Sequence, residues 1–207
     1  MKIKICGMRE PENIRQIATL QPDFMGFIFY EKSKRFINLE DFLQLDTDYI
    51  GINKVAVFVN ERIKNIIRIE TLGNFKYLQL HGDETPEFCE ELKYLDFKII
   101  KAFGINEQFD FHKLNEYETV IDYFLFDTQS TEYGGSGKKF DWNLLDKYKL
   151  QTPIFLSGGL EISDIETVQN YCKQLPYCLD FNSKLEDKPG LKNIDKSSKV
   201  IQLIRKK

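Results

Sequence analysis

Histidine and tryptophan are scarce in this 207-residue sequence, with two of the first and one of the second, and its four cysteines do not cluster. Cys6, Cys89, Cys172 and Cys178 form no C-x-x-C pair, and with so few histidines no metal-ligand spacing arises. No metal is implied, and the cysteines read as free thiols of a reducing, cytoplasmic compartment. A surplus of positive charge is missing too: 29 Lys and Arg stand against 32 Asp and Glu, a net charge of −3. That balance offers no basic face to nucleic acid. No apolar run approaches the roughly 20 residues that cross a bilayer. The start, Met1-Lys2-Ile3-Lys4-Ile5, alternates briefly and lacks the long apolar stretch of a secretory signal. Linkers, low-complexity tracts and charge blocks are absent as well, so residues 1–207 read as one domain. What is present is a globular mixture, 42% hydrophobic and 29% charged, enough for one large core.

The apolar runs recur in a strand, turn, helix order. Strands are predicted at 2–6, 24–30, 54–59, 77–80, 98–103, 123–126, 153–156 and 178–181. The second of these, FMGFIFY, is apolar throughout, as a strand buried on both faces requires. Helices are predicted from Pro11, near Asp41, over 62–72 with Asn60 as its cap and Gly73 at its end, and over 86–94. A weaker helix is predicted over 107–117, a short one from Asp141, one from Ser163 to Cys172 and a last over 196–205. Eight such alternations imply βαβ units and a closed (β/α)₈ TIM barrel. An open doubly wound sheet is the alternative, but no G-x-G-x-x-G follows the first strand.

In such a barrel the active site lies at the C-terminal strand ends. There stand Cys6, Arg35 in the loop after the second strand, His81, Asp127, Ser157-Gly158-Gly159 and Asp180-Phe181-Asn182-Ser183. A lone strand cysteine is usually a small core residue. Gly7, however, opens a loop directly beside Cys6, where a thiolate can serve as base. Asp127 either caps a turn or pairs with a lysine or, after Phe124 and Phe126, acts as a general acid in an apolar mouth. Arg35 ends the charge run Lys32-Ser33-Lys34-Arg35, which is either solvated or offers a planar fork for a carboxylate or phosphate. His81 is either structural or part of the site. Gly158-Gly159 is either a tight turn or a phosphate cradle near a helix start. Gly134-Gly135-Ser136-Gly137 is either a linker or, placed right after Asp127, a lid or a second set of phosphate-facing amides. The residues alone describe a barrel enzyme for a phosphorylated small molecule.

KICG, GFIFYEKSKR, VAVFVN, LQLHG, FLFDT, YGGSGKKFDW, FLSGGL and the late PG occur in that order. Together, nearly end to end, they resemble the phosphoribosylanthranilate isomerases of tryptophan biosynthesis. The resemblance implies a (β/α)₈ barrel that converts N-(5-phospho-β-D-ribosyl)anthranilate to 1-(2-carboxyphenylamino)-1-deoxy-D-ribulose 5-phosphate. This Amadori rearrangement is an internal aldose–ketose redox reaction needing no metal or organic cofactor. By resemblance Asp127 is the general acid and Cys6 the general base. Arg35 would hold the anthranilate carboxylate, with His81 beside the aromatic ring or the acid. Gly158 and Gly159, with backbone near Asn182 and Ser183, would hold the phosphate, and Asp180 would face the ribose hydroxyls. The expected partner is this small phosphorylated substrate, with a monomer or a homodimer both open.

Two departures mark the chain. Asn182-Ser183-Lys184 replaces the family's serine-serine-glycine-like run, so Lys184 either adds a charge to the phosphate site or points to solvent. The segment 189–193 lacks the acidic residue common there. Phosphate contacts are therefore expected first at Gly158 and Gly159. A histidine-pathway aminoaldose isomerase would use paired aspartates, one of them where Cys6 stands. A barrel kept only for binding would have no need of both Cys6 and Asp127.

Overall fold

The computed structural model describes residues 1–128, 139–171 and 175–206. Eight parallel strands close into a barrel: β1 (Lys2–Cys6), β2 (Phe24–Ile28), β3 (Asn53–Phe58), β4 (Tyr77–Leu80), β5 (Lys98–Ile105), β6 (Tyr123–Thr128), β7 (Ile154–Leu156) and β8 (Cys178–Phe181). Lys4 stands opposite Phe24 on one side and Asp180 on the other, so β8 returns to β1. Closure leaves no unpaired edge and removes the open-sheet alternative.

The two-residue period of each strand sorts its side chains. One set faces the barrel interior: Cys6, Phe24, Val55, Val57, Ile100, Ala102, Leu125, Phe155 and Cys178 form one apolar cluster. The alternate set, including Ile3, Ile5, Phe27, Phe58, Leu78, Leu80, Phe124, Phe126 and Leu179, belongs to a second cluster under the outer ring. At the N-terminal end the interior is closed by Phe24, Tyr77, Tyr123, Phe155 and Tyr177. Their ring centroids lie 5.1–6.5 Å apart in neighbouring pairs, several of them edge to face. The barrel is thus floored at one end.

The outer ring comprises α1 (Pro11–Thr19), α2 (Leu39–Phe42), α3 (Ile63–Gly73), α4 (Pro86–Lys93), α5 (Asp164–Tyr171) and α6 (Ile194–Arg205). Pro11 opens α1, and Ile14, Ile17 and Ala18 are its buried stripe. Thr85 caps α4 and Asn193 caps α6, each side chain accepting a first-turn N–H. Among the described residues no helix is long and apolar enough to cross a membrane.

The outer elements depart from expectation in several places. Asn60 does not cap α3; Arg62 holds that position. Asn60 instead turns left-handed at φ 51°, and its Oδ1 accepts from Asp83 N–H at 2.7 Å. The predicted helices at 107–117 and after Asp141 are 3₁₀ turns, Phe111–Glu116 and Trp142–Lys147. Near the first, Phe111 packs on Phe126 and Tyr117 on Phe103, so aromatic rings cover the sheet where a longer helix would. The loop expected around Pro189-Gly190 is a hairpin of β9 (Glu186–Lys188) and β10 (Leu191–Lys192). The Gly134–Gly137 loop and the end of the Ser163–Cys172 helix lie outside the described residues.

Candidate active site

The barrel opens at the C-terminal strand ends into a cleft lined by Cys6, Ile28, Tyr30, Val57, Val59, Gln79, His81, Asp127, Gly158, Gly159, Asp180, Asn182, Ser183 and Lys184, among others. Its empty space, open mouth included, is about 680 Å³, within the usual range of small-molecule sites, about 300–1,000 Å³. Ile28, Val57 and Val59 make one side apolar; carboxylates, glycines and a lysine make the other polar. Of the strand-end residues named from the sequence, Arg35 and Phe181 do not line this cleft and the others do.

Cys6 ends β1 on its inner face and is 4% exposed. Gly26 on β2 makes room for it: a Cβ there would stand 2.6 Å from Cys6 Sγ. Burial pushes the thiol above its ordinary pKa, Lys4 and Lys192 pull it down, and Asp180 pushes it up; the net shift is upward. Cys89 and Cys178 are also free and buried, and neither lines the cleft.

Asp127 lies within β6, paired with Gly104 of β5, one residue beyond the predicted strand end. Its Oδ1 accepts from Thr128 N–H at 2.7 Å, and its Oδ2 is 3.4 Å from His81 Nε2. Behind His81, Gln79 Nε2 stands 2.8 Å from His81 Nδ1. Lys4 Nζ donates to Gln79 Oε1 at 2.6 Å and to Asp180 Oδ2 at 2.7 Å. Burial alone would lower the Lys4 ammonium, but Asp180 and Cys6 hold it above its ordinary value. Burial pushes the Asp180 carboxyl up, against the pull of Lys4. Asp180 Oδ1 is buried with no hydrogen-bond partner among the described residues.

Arg35 lies against Gly7, its Cδ 2.5 Å from where a Cβ on Gly7 would stand. Its Nε and Nη2 form a fork on both oxygens of Glu186 at 2.6–3.0 Å. Glu186 also accepts from Lys192 Nζ at 2.6 Å, and that ammonium reaches Asn182 Oδ1 at 2.8 Å. Burial would raise the Glu186 carboxyl, but Arg35 and Lys192 hold it below its ordinary value. Burial draws Lys192 down to about 8 despite Glu186. The arginine expected to meet a carboxylate therefore already meets one from its own chain, on one edge of the guanidinium.

Gly158 and Gly159 follow β7 at φ 97° and 64°, a left-handed turn at the rim. A Cβ on Gly158 would meet Thr128 Oγ1 at 2.4 Å, so the turn is pressed against the end of β6. Lys184 pairs with Glu161 at 2.8 Å across this rim with its side chain 36% exposed. It is neither free in solvent nor an unpaired charge in the site. Ser183 starts a short 3₁₀ turn beside it, and the Asn182 side chain is turned to Lys192.

Lys4, Gln79, Glu186 and Lys192 were not singled out from the sequence. A signal existed for the first two. Lys4 shares the inner parity of Cys6, and Gln79 that of His81, and both are polar residues inside otherwise apolar strands. Among the described residues no group of three or more His, Cys, Asp or Glu could hold a metal ion.

A closed parallel barrel with a chemically equipped cleft at its C-terminal end places the chain among the (β/α)₈-barrel enzymes. A family model described as N-(5'phosphoribosyl)anthranilate (PRA) isomerase matches residues 3–203. The N-(5'-phosphoribosyl)anthranilate isomerase of Parabacteroides distasonis is 47% identical over 206 residues, covering 99% of this chain and 93% of that one. The phosphoribosyl anthranilate isomerase structure from Thermotoga maritima matches with a TM-score of 0.87 at 31% identity, covering 99% of this chain and 98% of that one. A structure of the enzyme in complex with reduced 1-(o-carboxyphenylamino)-1-deoxyribulose 5-phosphate matches at 0.83 and 28% identity, with the same coverage. This chain belongs to the phosphoribosylanthranilate isomerase family.

Proposed function

We propose that this chain isomerises N-(5-phospho-β-D-ribosyl)anthranilate to 1-(2-carboxyphenylamino)-1-deoxy-D-ribulose 5-phosphate, with Asp127 and Cys6 carrying its two proton transfers. The observation that carries the reading is that both side chains line one cleft from strands β6 and β1. Asp127 gives a proton to the furanose ring oxygen while the nitrogen lone pair breaks the C1–O bond. The ring opens to a protonated Schiff base, which acidifies the hydrogen on C2. Cys6 as thiolate removes that hydrogen, and the electrons return to nitrogen. The resulting enolamine gains a proton on C1 and loses one from the C2 hydroxyl, giving the ketone.

The surroundings support this assignment. Ile28, Val57 and Val59 suit the aromatic ring. Asp180 Oδ1 is an acceptor in want of a hydroxyl, as a ribose supplies. The Gly158-Gly159 turn lines the cleft with glycine backbone, which would suit a phosphate. Glu186 holds Arg35 by Nε and Nη2, so Nη1 is the atom that would meet the anthranilate carboxylate. Free buried thiols fit a cytoplasmic enzyme.

Loss of substrate fluorescence with purified protein tests the activity. Cys6→Ser and Asp127→Asn should each lower kcat by about 10²–10⁴-fold while a product analogue still binds. Turnover near that of the unaltered enzyme in either variant would remove that residue from its role.

A further inference from the structure

Behind Asp127 runs a line of polar groups, buried at its far end, that the two proton transfers leave unused. Lys4 Nζ touches Gln79 Oε1 at 2.6 Å, Gln79 Nε2 is 2.8 Å from His81 Nδ1, and His81 Nε2 is 3.4 Å from Asp127 Oδ2. Lys4 is fully buried and Gln79 nearly so. The chemistry of the first member orders all the others. A lysine ammonium has donors only, so the Gln79 atom facing it is the carbonyl oxygen. The other end of that amide is an NH₂ group, which also only donates. The His81 nitrogen facing it, Nδ1, must therefore offer a lone pair. The ring's single proton then sits on Nε2, the nitrogen turned toward Asp127. Asp180 anchors the line by holding Lys4 at 2.7 Å.

We infer that Lys4, Gln79 and His81 form a positioning relay that fixes His81 as an Nε2–H donor to the Asp127 carboxyl. The inference rests on Asp127 being the general acid. Thr128 N–H already occupies Oδ1, so Oδ2 is the oxygen left for both His81 and the substrate. At 3.4 Å the His81 contact is long for a hydrogen bond. Such contacts in unliganded sites often tighten in the reacting complex. As Asp127 releases its proton, Oδ2 becomes anionic and the Nε2–H meets it. An interaction that strengthens only as charge develops lowers the barrier and leaves substrate affinity nearly unchanged.

Nitrogen-15 NMR of the imidazole rings tests the relay directly. The chain has two histidines, and the exposed His112 is removed by His112→Gln, leaving one ring to read. The expected spectrum of the neutral His81 ring shows its proton on Nε2. A proton on Nδ1, or a mixture of tautomers, overturns the relay. Gln79→Met keeps the length of the side chain but deletes the amide. It should produce the tautomer mixture and lower kcat about a hundredfold, with KM changed less than about twofold. Unaltered tautomer and kcat in that variant overturn the relay as well. His81→Gln, whose amide nitrogen can stand where Nε2 does, should recover much of the kcat that His81→Leu loses. If Gln79→Met does not fold, the His112→Gln spectrum still decides. Full activity of Asp127→Asn would remove the acid assignment and leave the predicted His81 spectrum unchanged, so the two failures are distinct.

Discussion

Lys192 shows how a single buried residue couples the site to pH. Burial draws its ammonium down to about 8, with Glu186 opposing. The unfolded value is near 10.4, so the fold disfavours the charged form. That cost is whole below about pH 8 and fades as pH climbs toward the unfolded value, because in that window the unfolded chain binds more protons. Lys192→Met removes the titration. Its stability relative to the unaltered chain should therefore be most favourable below about pH 8 and decline as pH rises. Urea unfolding of both proteins at about pH 7 and about pH 10 measures this, and a difference that does not change with pH would refute it. Lys192 also marks the limit of sequence reading at this scale. Cys6, His81 and Asp127 could be found because each closes a recognisable strand. Arg35 could be found too, but its partner Glu186 lies 151 positions away, on a hairpin that turn residues alone did not reveal.

At the scale of elements, the strands were legible because parallel strands buried on both faces are apolar almost throughout, as FMGFIFY is. Their inner parity was not, because a run that is apolar on both faces carries no alternation; the closed barrel is what brings Cys6 and Asp127 into one cavity. The outer ring was less legible than the strands. Two of its predicted helices are 3₁₀ turns, and near the first of them Phe111 and Tyr117 cover the sheet with rings. No periodicity distinguishes so short a turn from a weak helix. The last helix was found, but two residues late, because Asn193 rather than the apolar stripe sets its start. The Asn193 side chain accepts from Lys196 N–H at 2.9 Å. Asn193→Ala should reduce global stability by about 1 kcal/mol, read from the midpoint of urea unfolding. An unchanged midpoint would mean that α6 is held by packing alone.

The whole molecule is a barrel with one open end. Closure follows from β8 pairing with β1, a contact between chain segments 176 positions apart that local signals cannot specify and that the count of eight units made readable. The other end is floored by Phe24, Tyr77, Tyr123, Phe155 and Tyr177. That floor has an isotopic consequence. Among the described residues Cys6 is nearly buried and borders the cleft at the mouth, where the proposed substrate would sit. If Cys6 is the base, a hydrogen it takes from C2 would meet little water before the enolamine collapses, while the adjacent C1 needs a proton. Substrate carrying deuterium on C2 should yield product that retains part of the label on C1, measurable by mass spectrometry. Complete washout into solvent would mean that water reaches the thiol during turnover. A plug of aromatic rings at the far end of the barrel thus bears on where a hydrogen atom ends its path.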